Sequence, residues 1–277
     1  MAKIISIVNQ KGGVGKTTTT VNLGAALAIE NKKVLIIDLD QEANATITLG
    51  IKREEVKLDV VDLLLESELK DEIIVKTEVE NLNIICSSLR VQRLEHALNQ
   101  LENAKYILKN KLKDIEKYYD FILIDCPPSF GLIIDNALYA SESVIIPVEC
   151  SYYAYDALTQ MISKIDEVQS EKPLTIEGIL LTKLDNRNTI GYKIVEQVKF
   201  MFPYNTFNTI INISSHIQEA PMYGKSVIQF SPNSRGSKEY RSLAQEILSK
   251  WSIKTLKLEI LLLLKNLIHA VEQHGKY

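Results

Sequence analysis

The sequence predicts an α/β fold: a mostly parallel, doubly wound sheet flanked by helices. Three observations predict it. Short runs that are apolar almost throughout recur along the chain, among them 3–9, 34–38 and 121–125. Longer segments with helical spacing alternate with them, and several runs end in glycines or an acid. Strands covered on both faces read as continuous apolar runs, and strand–helix alternation implies crossovers that pair strands in parallel.

The elements follow in order. Residues 3–9 (KIISIVN) predict a buried strand, short and β-branched, that runs into a glycine-rich turn. Val21, Leu23 and 25–29 predict the helix after it, and 34–38 (VLIID) a second strand. Residues 52–80 are charged and irregular, with one short helix expected at 60–65. Strands are expected at 82–86, 121–125, 143–148 and 174–182, with a shorter one at 209–213. Helices are expected at 91–116 (one long, charged, amphipathic element), 131–141, 152–168, 190–202 and 239–248. No Gly/Ser linker, low-complexity segment or internal repeat interrupts this series. One domain over 1–250 is therefore expected, with an appendage at 251–277.

The turn after the first strand carries the chemistry. Lys11-Gly12-Gly13-Val14-Gly15-Lys16-Thr17-Thr18 sits between strand and helix, the context a phosphate-binding loop requires. Glycines let backbone N–H groups converge on an anion, and the helix N-terminus adds its positive dipole end. Lys16 is placed to reach the β- and γ-phosphates and the Thr17 hydroxyl to ligate Mg²⁺. The ordinary P-loop pattern needs glycine at position 10, where Gln10 stands. A second lysine, Lys11, opens the loop instead, giving the deviant Walker A form. The rival reading, a glycine-rich turn that binds nothing, must account for strand, glycines, Lys-Thr and helix all falling in place.

In doubly wound sheets ligands gather at the carboxyl ends of strands, where Asp38, Asp40 and Asp125 lie. Mg²⁺ favours one or two carboxylates alongside phosphates and retained waters, a role that suits Asp125, acting through water. A second acid would orient or deprotonate the attacking water, and Asp40 is the candidate, with Asp38 as a structural support. For any one of these acids the competing role is a helix N-cap.

Composition sets the bounds. At 277 residues with 46% hydrophobic and 24% charged residues, the chain has an ordinary globular balance. Neither a signal peptide nor an apolar run of 18 residues occurs, so no transmembrane helix is expected. Cys86, Cys126 and Cys150 show no metal spacing and fit a reducing cytoplasm as small buried residues. The net charge of −3 hides an asymmetry: residues 181–250 carry nine Lys/Arg against five acids, and 251–277 four lysines against two glutamates. Residues 1–180 therefore carry −9, and the basic C-terminal third suits a polyanion or a merely solvated face.

Taken together, N-Q-K-G-G-V-G-K-T-T (9–18), I-D-L-D (37–40) with Asn44-Ala45-Thr46, F-I-L-I-D-C-P-P-S (121–129) and E-A-P-x-x-G-K (219–225), with Ser231-Pro232 and Ser234-Arg235-Gly236-Ser237 after it, resemble the ParA/Soj partitioning ATPases. The likeness covers about 1–250, in order and spacing. It implies a P-loop NTPase of the deviant Walker A class that binds ATP and Mg²⁺ and forms a nucleotide-sandwich homodimer. Such dimers hold duplex DNA without sequence preference, and a ParB-type partner stimulates hydrolysis and release. Lys11 would be the signature lysine, reaching the partner subunit's phosphates. Lys16 and Thr17 would serve phosphate and magnesium, Asp40 catalysis and Asp125 the Walker B position. A cytoplasmic, nucleoid-associated ATPase with weak basal activity is implied, with no operator-binding module expected ahead of the first strand.

Two departures from the family pattern stand out. Gln41-Glu42 follow Asp40 where relatives often have Pro-Gln, and His216 occupies a slot that usually carries a basic DNA contact. The other candidates for phosphate contact are Lys199, Lys225, Arg235, Lys238, Arg241 and Lys250, each on its own an ordinary surface charge. Adenine contacts are expected from the loop after 147–149 and from 182–187. In the tail, Ile253, Leu256, Ile260, Leu263, Leu264, Leu267 and Val271 recur at helical spacing, which suits packing on the domain or a partner. A membrane-surface helix there would suggest instead a MinD-like ATPase that positions the division site, but the helix would be apolar nearly all round. A nitrogenase-iron-protein-like role would need cluster-ligating cysteines, and a tyrosine kinase a C-terminal tyrosine cluster, where Tyr277 stands alone.

Overall fold

The computed structural model describes residues 2–68, 70–151 and 154–252. Seven strands form one sheet: β1 (Lys3–Ile7), β2 (Val34–Asp38), β3 (Ile74–Lys76), β4 (Leu82–Ile85), β5 (Phe121–Asp125), β6 (Ser143–Glu149) and β7 (Thr175–Thr182). Their spatial order is β3-β4-β2-β5-β1-β6-β7, parallel throughout except for β3, which pairs antiparallel with β4 at the edge. The charged stretch that contains β3 gave no strand signal, because three residues with an exposed Lys76 carry no period.

The apolar runs are continuous because each strand feeds two cores. Leu35 and Ile37 of β2 point to one face and Val34 and Ile36 to the other; Ile122 and Ile124 of β5 part from Phe121 and Leu123 likewise. Burying one such side chain contributes about 1.5–3 kcal/mol. The first face is covered by α3 (Val60–Leu65), α4 (Leu94–Leu98), α5 (Ile107–Leu112), α6 (Leu132–Ala140), α7 (Ala154–Gln169) and α8 (Thr189–Met201). The second is covered by α1 (Lys16–Ile29), α2 (Asn44–Thr48), α10 (Val227–Phe230) and α11 (235–252), with the short α9 (Ser215–Glu219) beside them. Gly24 lets α1 lie close on the sheet, since a Cβ there would come within 2.9 Å of Ile36 Cδ1.

Two expected elements differ. The single helix at 91–116 is instead a 3₁₀ turn (Leu89–Arg93), α4, a second 3₁₀ turn (Ala104–Tyr106), α5 and a third (Glu116–Tyr118). Asn103 takes a left-handed φ of 55°, which breaks the helix, while Val91, Leu94, Leu98, Leu108 and Leu112 still meet one core. The period recorded burial, not one straight axis. The expected strand at 209–213 runs beside β7 through isolated parallel bridges, Ile179 with Thr206 and Leu184 with Asn212. Its backbone donors alternate: Ile211 N and Ile213 N donate to Leu181 O and Leu184 O, while the Glu246 carboxylate of α11 accepts from Asn208 N and Thr209 N, and Glu239 from Asn212 N. The proposed tail helix at 253–277 and Tyr152 and Tyr153 lie outside the described residues.

Candidate nucleotide site

The turn after β1 is held from both sides. Asn9 donates to Pro147 O at 2.7 Å and accepts from Lys11 N at 2.9 Å, and Thr182 Oγ1 donates to Val14 O at 2.8 Å. Gly13 and Gly15 adopt φ of 72° and 96°, which favour glycine, and a Cβ on Gly12 or Gly13 would meet no atom within 4 Å. The loop is therefore an open cradle at the N-terminus of α1. Lys16 is 7% exposed and lies 3.4 Å from Lys11 O. Burial lowers its pKa, against the opposing charge of Asp125.

Strand register assembles the acids. Asp38 at the end of β2 lies directly opposite Asp125 at the end of β5, and Ile7 of β1 flanks Asp125 on the other side. Asp125 is fully buried; its Oδ1 accepts from Thr20 Oγ1 at 3.1 Å, and its Oδ2 has no hydrogen-bond partner among the described residues. Burial raises its pKa, reinforced by the charge of Asp38 and opposed by the Thr17 hydroxyl. Burial raises that of Asp38 too, and the backbone and side-chain hydrogen bonds of Thr46 oppose the shift. Asp38 thus accepts from Asp40 N and from Thr46 of α2 and does not line the cleft, whereas Asp40 borders it.

These groups open on a cleft of about 680 Å³. Its phosphate end is lined by Gly12, Gly13, Gly15, Lys16, Thr17 and Thr18, and its acid side by Asp40, Glu42, Asn44 and Pro128. The far wall comprises Thr182, Lys183, Ile211–Ser214, Ile217, Gln218, Pro221 and Tyr240. Of the two loops expected to face a base, only the one after β7 borders this cleft among the described residues. Glu149 at the end of β6 binds Lys11: its Oε2 lies 2.9 Å from the Lys11 ammonium, which also donates to Ser151 Oγ at 3.0 Å. Lys11 is consequently turned out of its own cleft. Neither Glu149 nor Ser151 carried a motif signal, although both follow a strand's carboxyl end. Asn212 and Tyr240 were invisible because they meet the cleft from distant parts of the chain.

The basic candidates do not form one cluster. Lys225 borders a small neighbouring cleft with Thr17, Thr18 and Asn44. His216 lies 6.5 Å from the Phe230 ring, Arg235 pairs with Glu239 at 2.7 Å, and Arg241 Nε is buried. Lys238 shares α11 with these two, and Lys199 sits in the last turn of α8. Lys250 stands apart at the opposite end of the sheet, donating to Glu177 O at 3.0 Å and lying over the Phe207 ring. Its polar group is taken up by the fold. Cys86 and Cys126 are buried, and among the described residues no group of three or more His, Cys, Asp or Glu could hold a metal ion. No described helix is long and apolar enough to cross a membrane.

Sheet order, glycine cradle and strand-end acids define a P-loop nucleotide-binding protein, and a family described as AAA domain matches residues 2–177. The chain is 45% identical over 249 residues to the sporulation initiation inhibitor protein Soj of Bacillus subtilis, covering 89% of this chain and 98% of that protein. It is 38% identical to the chromosome-partitioning ATPase Soj of Treponema pallidum, covering 90% and 98%. It therefore belongs to the Soj/ParA family of chromosome-partitioning proteins. Among solved structures it is similar to cobyrinic acid a,c-diamide synthase from Mycobacterium smegmatis with a bound ATP analog and magnesium, with TM-score 0.80, 28% identity and coverage of 91% and 96%.

Proposed function

We propose that this chain is an ATP-driven DNA-partitioning switch: ATP closes a homodimer on non-specific duplex DNA, and hydrolysis stimulated by a ParB-type partner opens it. The observation that carries the reading is the position of Lys11, whose ammonium lies outside its own cleft, on the Glu149–Ser151 rim, free of its own phosphate cradle. From that rim it serves a second subunit's nucleotide as an arginine finger does in trans.

Within one cleft the roles divide by geometry. The N–H groups of the Gly12–Thr18 loop and the Lys16 ammonium bind the β- and γ-phosphates of ATP. Thr17 and Asp125 fit Mg²⁺, because a hydroxyl and an unpartnered buried carboxylate oxygen are the hard oxygen donors that ion takes. Bound there, the ion would neutralise charge on the phosphoryl oxygens. Asp40 orients the attacking water and takes its proton as the water oxygen bonds to the γ-phosphorus and the bond to ADP breaks. The adenine end is the wall from Thr182 to Tyr240. Lys199, Lys225, Arg235, Lys238 and Arg241 supply the DNA-facing charge, with His216 as a further contact, Lys250 being committed to the Glu177 carbonyl. Residues 1–250 form the ATPase domain, cytoplasmic and nucleoid-associated, and 251–277 an extension to it.

Binding to non-specific duplex DNA with ATP, ADP or no nucleotide tests the reading. ATP alone should recruit the protein, with an affinity that falls steeply as salt rises. Equal binding with ADP would overturn it. ATP-dependent binding to anionic liposomes instead, lost on deletion of 251–277, would favour the MinD-like reading.

A further inference from the structure

Asp40 can act only if it is held in place: its carboxylate accepts from Glu42 N at 3.0 Å, and the groups that fix its backbone come from three separate stretches of the chain. Asp40 ends no helix and lies beyond the last residue of β2, so the sheet does not fix it. A closed circuit of buried hydrogen bonds does. Asp40 N donates to Asp38 Oδ1 at 3.2 Å. Asp38 Oδ2 accepts twice from Thr46 of α2, from the amide at 2.9 Å and the hydroxyl at 2.8 Å. The Thr46 hydroxyl oxygen in turn accepts from Ser87 N at 3.0 Å, and Ser87 Oγ donates to Asp40 O at 2.6 Å, which closes the ring. Asp38, Thr46 and Ser87 are wholly buried and Asp40 is 7% exposed.

The geometry points to Thr46 and Ser87 as positioning residues for ATP hydrolysis, setting the placement of Asp40 at the cleft without touching nucleotide. The inference rests on the proposed role of Asp40. Both residues are used twice: the Thr46 hydroxyl donates once and accepts once, and Ser87 offers its N–H and its O–H to two different partners. Neither residue lines the cleft, so their removal acts indirectly, through Asp40 and, for Thr46, through Asp38 as well. A valine at 46 keeps the shape and the backbone hydrogen bond but loses both hydroxyl contacts. The site is buried, so loss of these partners leaves polar groups unsatisfied. Small misplacements of a reacting group carry large kinetic penalties.

The test compares Thr46→Val, Thr46→Ser and Ser87→Ala in the full chain, measuring ATP turnover, affinity for a fluorescent ATP analogue and thermal melting. Thr46→Val and Ser87→Ala should lower kcat by about 10- to 100-fold while nucleotide affinity stays within about twofold, the signature of an interaction used only during reaction. Thr46→Ser should restore turnover, since it regains the hydroxyl. Wild-type kcat in folded Thr46→Val and Ser87→Ala would overturn the inference. So would a parallel fall of kcat, affinity and melting temperature that Thr46→Ser fails to rescue, which is what a merely structural role gives. Should Thr46→Val not fold, Ser87→Ala decides, because it reaches Asp40 from the loop that follows β4. Asp40→Ala separates the two readings: turnover in that variant defeats the role of Asp40, whereas its inactivity beside an active Thr46→Val defeats only the circuit.

Discussion

The two walls of the cleft are built by different means. The phosphate and acid wall hangs on consecutive parallel strands in strict register, so that Asp38 and Asp125 meet as ladder partners. The far wall, 205–214, is an edge segment: Phe207, Ile211 and Ile213 donate to the backbone of β7 and the residues after it, while the alternate donors at 208, 209 and 212 go to glutamates of α11. A central ladder is braced by a neighbouring strand on each side; an edge segment held half by backbone bonds and half by side-chain clamps is more easily loosened by one substitution. On the proposed reading, the wall that carries charge and chemistry is the ladder-braced one, and the wall that would face a base is the more adjustable.

This contrast is open to direct attack. On the rigid wall, Asp40→Ala should keep nucleotide affinity and lower kcat by about 10²–10⁴-fold, the range for losing a general base. Single-turnover hydrolysis checks it, and unchanged turnover would sink the assigned role. Lys16→Ala should weaken ATP about 10- to 100-fold, from the loss of charge-assisted hydrogen bonds of about 1.5–3 kcal/mol, as calorimetry would measure. On the adjustable wall, Glu246→Ala leaves Asn208 N and Thr209 N without their carboxylate, and should destabilise the fold by about 1–3 kcal/mol in urea unfolding. Its nucleotide affinity should fall far less than that of Lys16→Ala; an equal fall would erase the distinction between the walls. The smallest effect is expected from Ser226→Ala, which removes the capping box of α10 behind that wall, at about 1 kcal/mol with kcat unchanged.

Legibility in the sequence follows the same division. Where a function needs contiguous residues, as in Gly12–Thr18, the order of side chains announces it, and the strand-end acids follow from the rule for doubly wound sheets. Asp38 could be assigned a supporting role from its place beside Asp40, and its hydrogen bonds to Thr46 match that. Ser87, Asn212, Tyr240 and Glu149 could not be found, because each meets its partner only through tertiary folding and none belongs to a spaced motif. The expected helix at 91–116 shows the converse failure. A correct apolar period was translated into one axis, when a left-handed Asn103 let several short turns bury the same residues.

The tether between Lys11 and Glu149 bears on how any salt titration of this protein should be interpreted. Both side chains are a little over a quarter exposed, at 28% and 29%, so the pair contributes about 0–1 kcal/mol and screening weakens it further. If subunits pair as proposed, its release opposes pairing only slightly, and less at high ionic strength. Loss of DNA with added salt, expected on the same reading, would report the phosphate contacts with the opposite sign to this release. A midpoint taken from DNA binding alone blends two ion-sensitive equilibria, which dimer formation measured without DNA would separate.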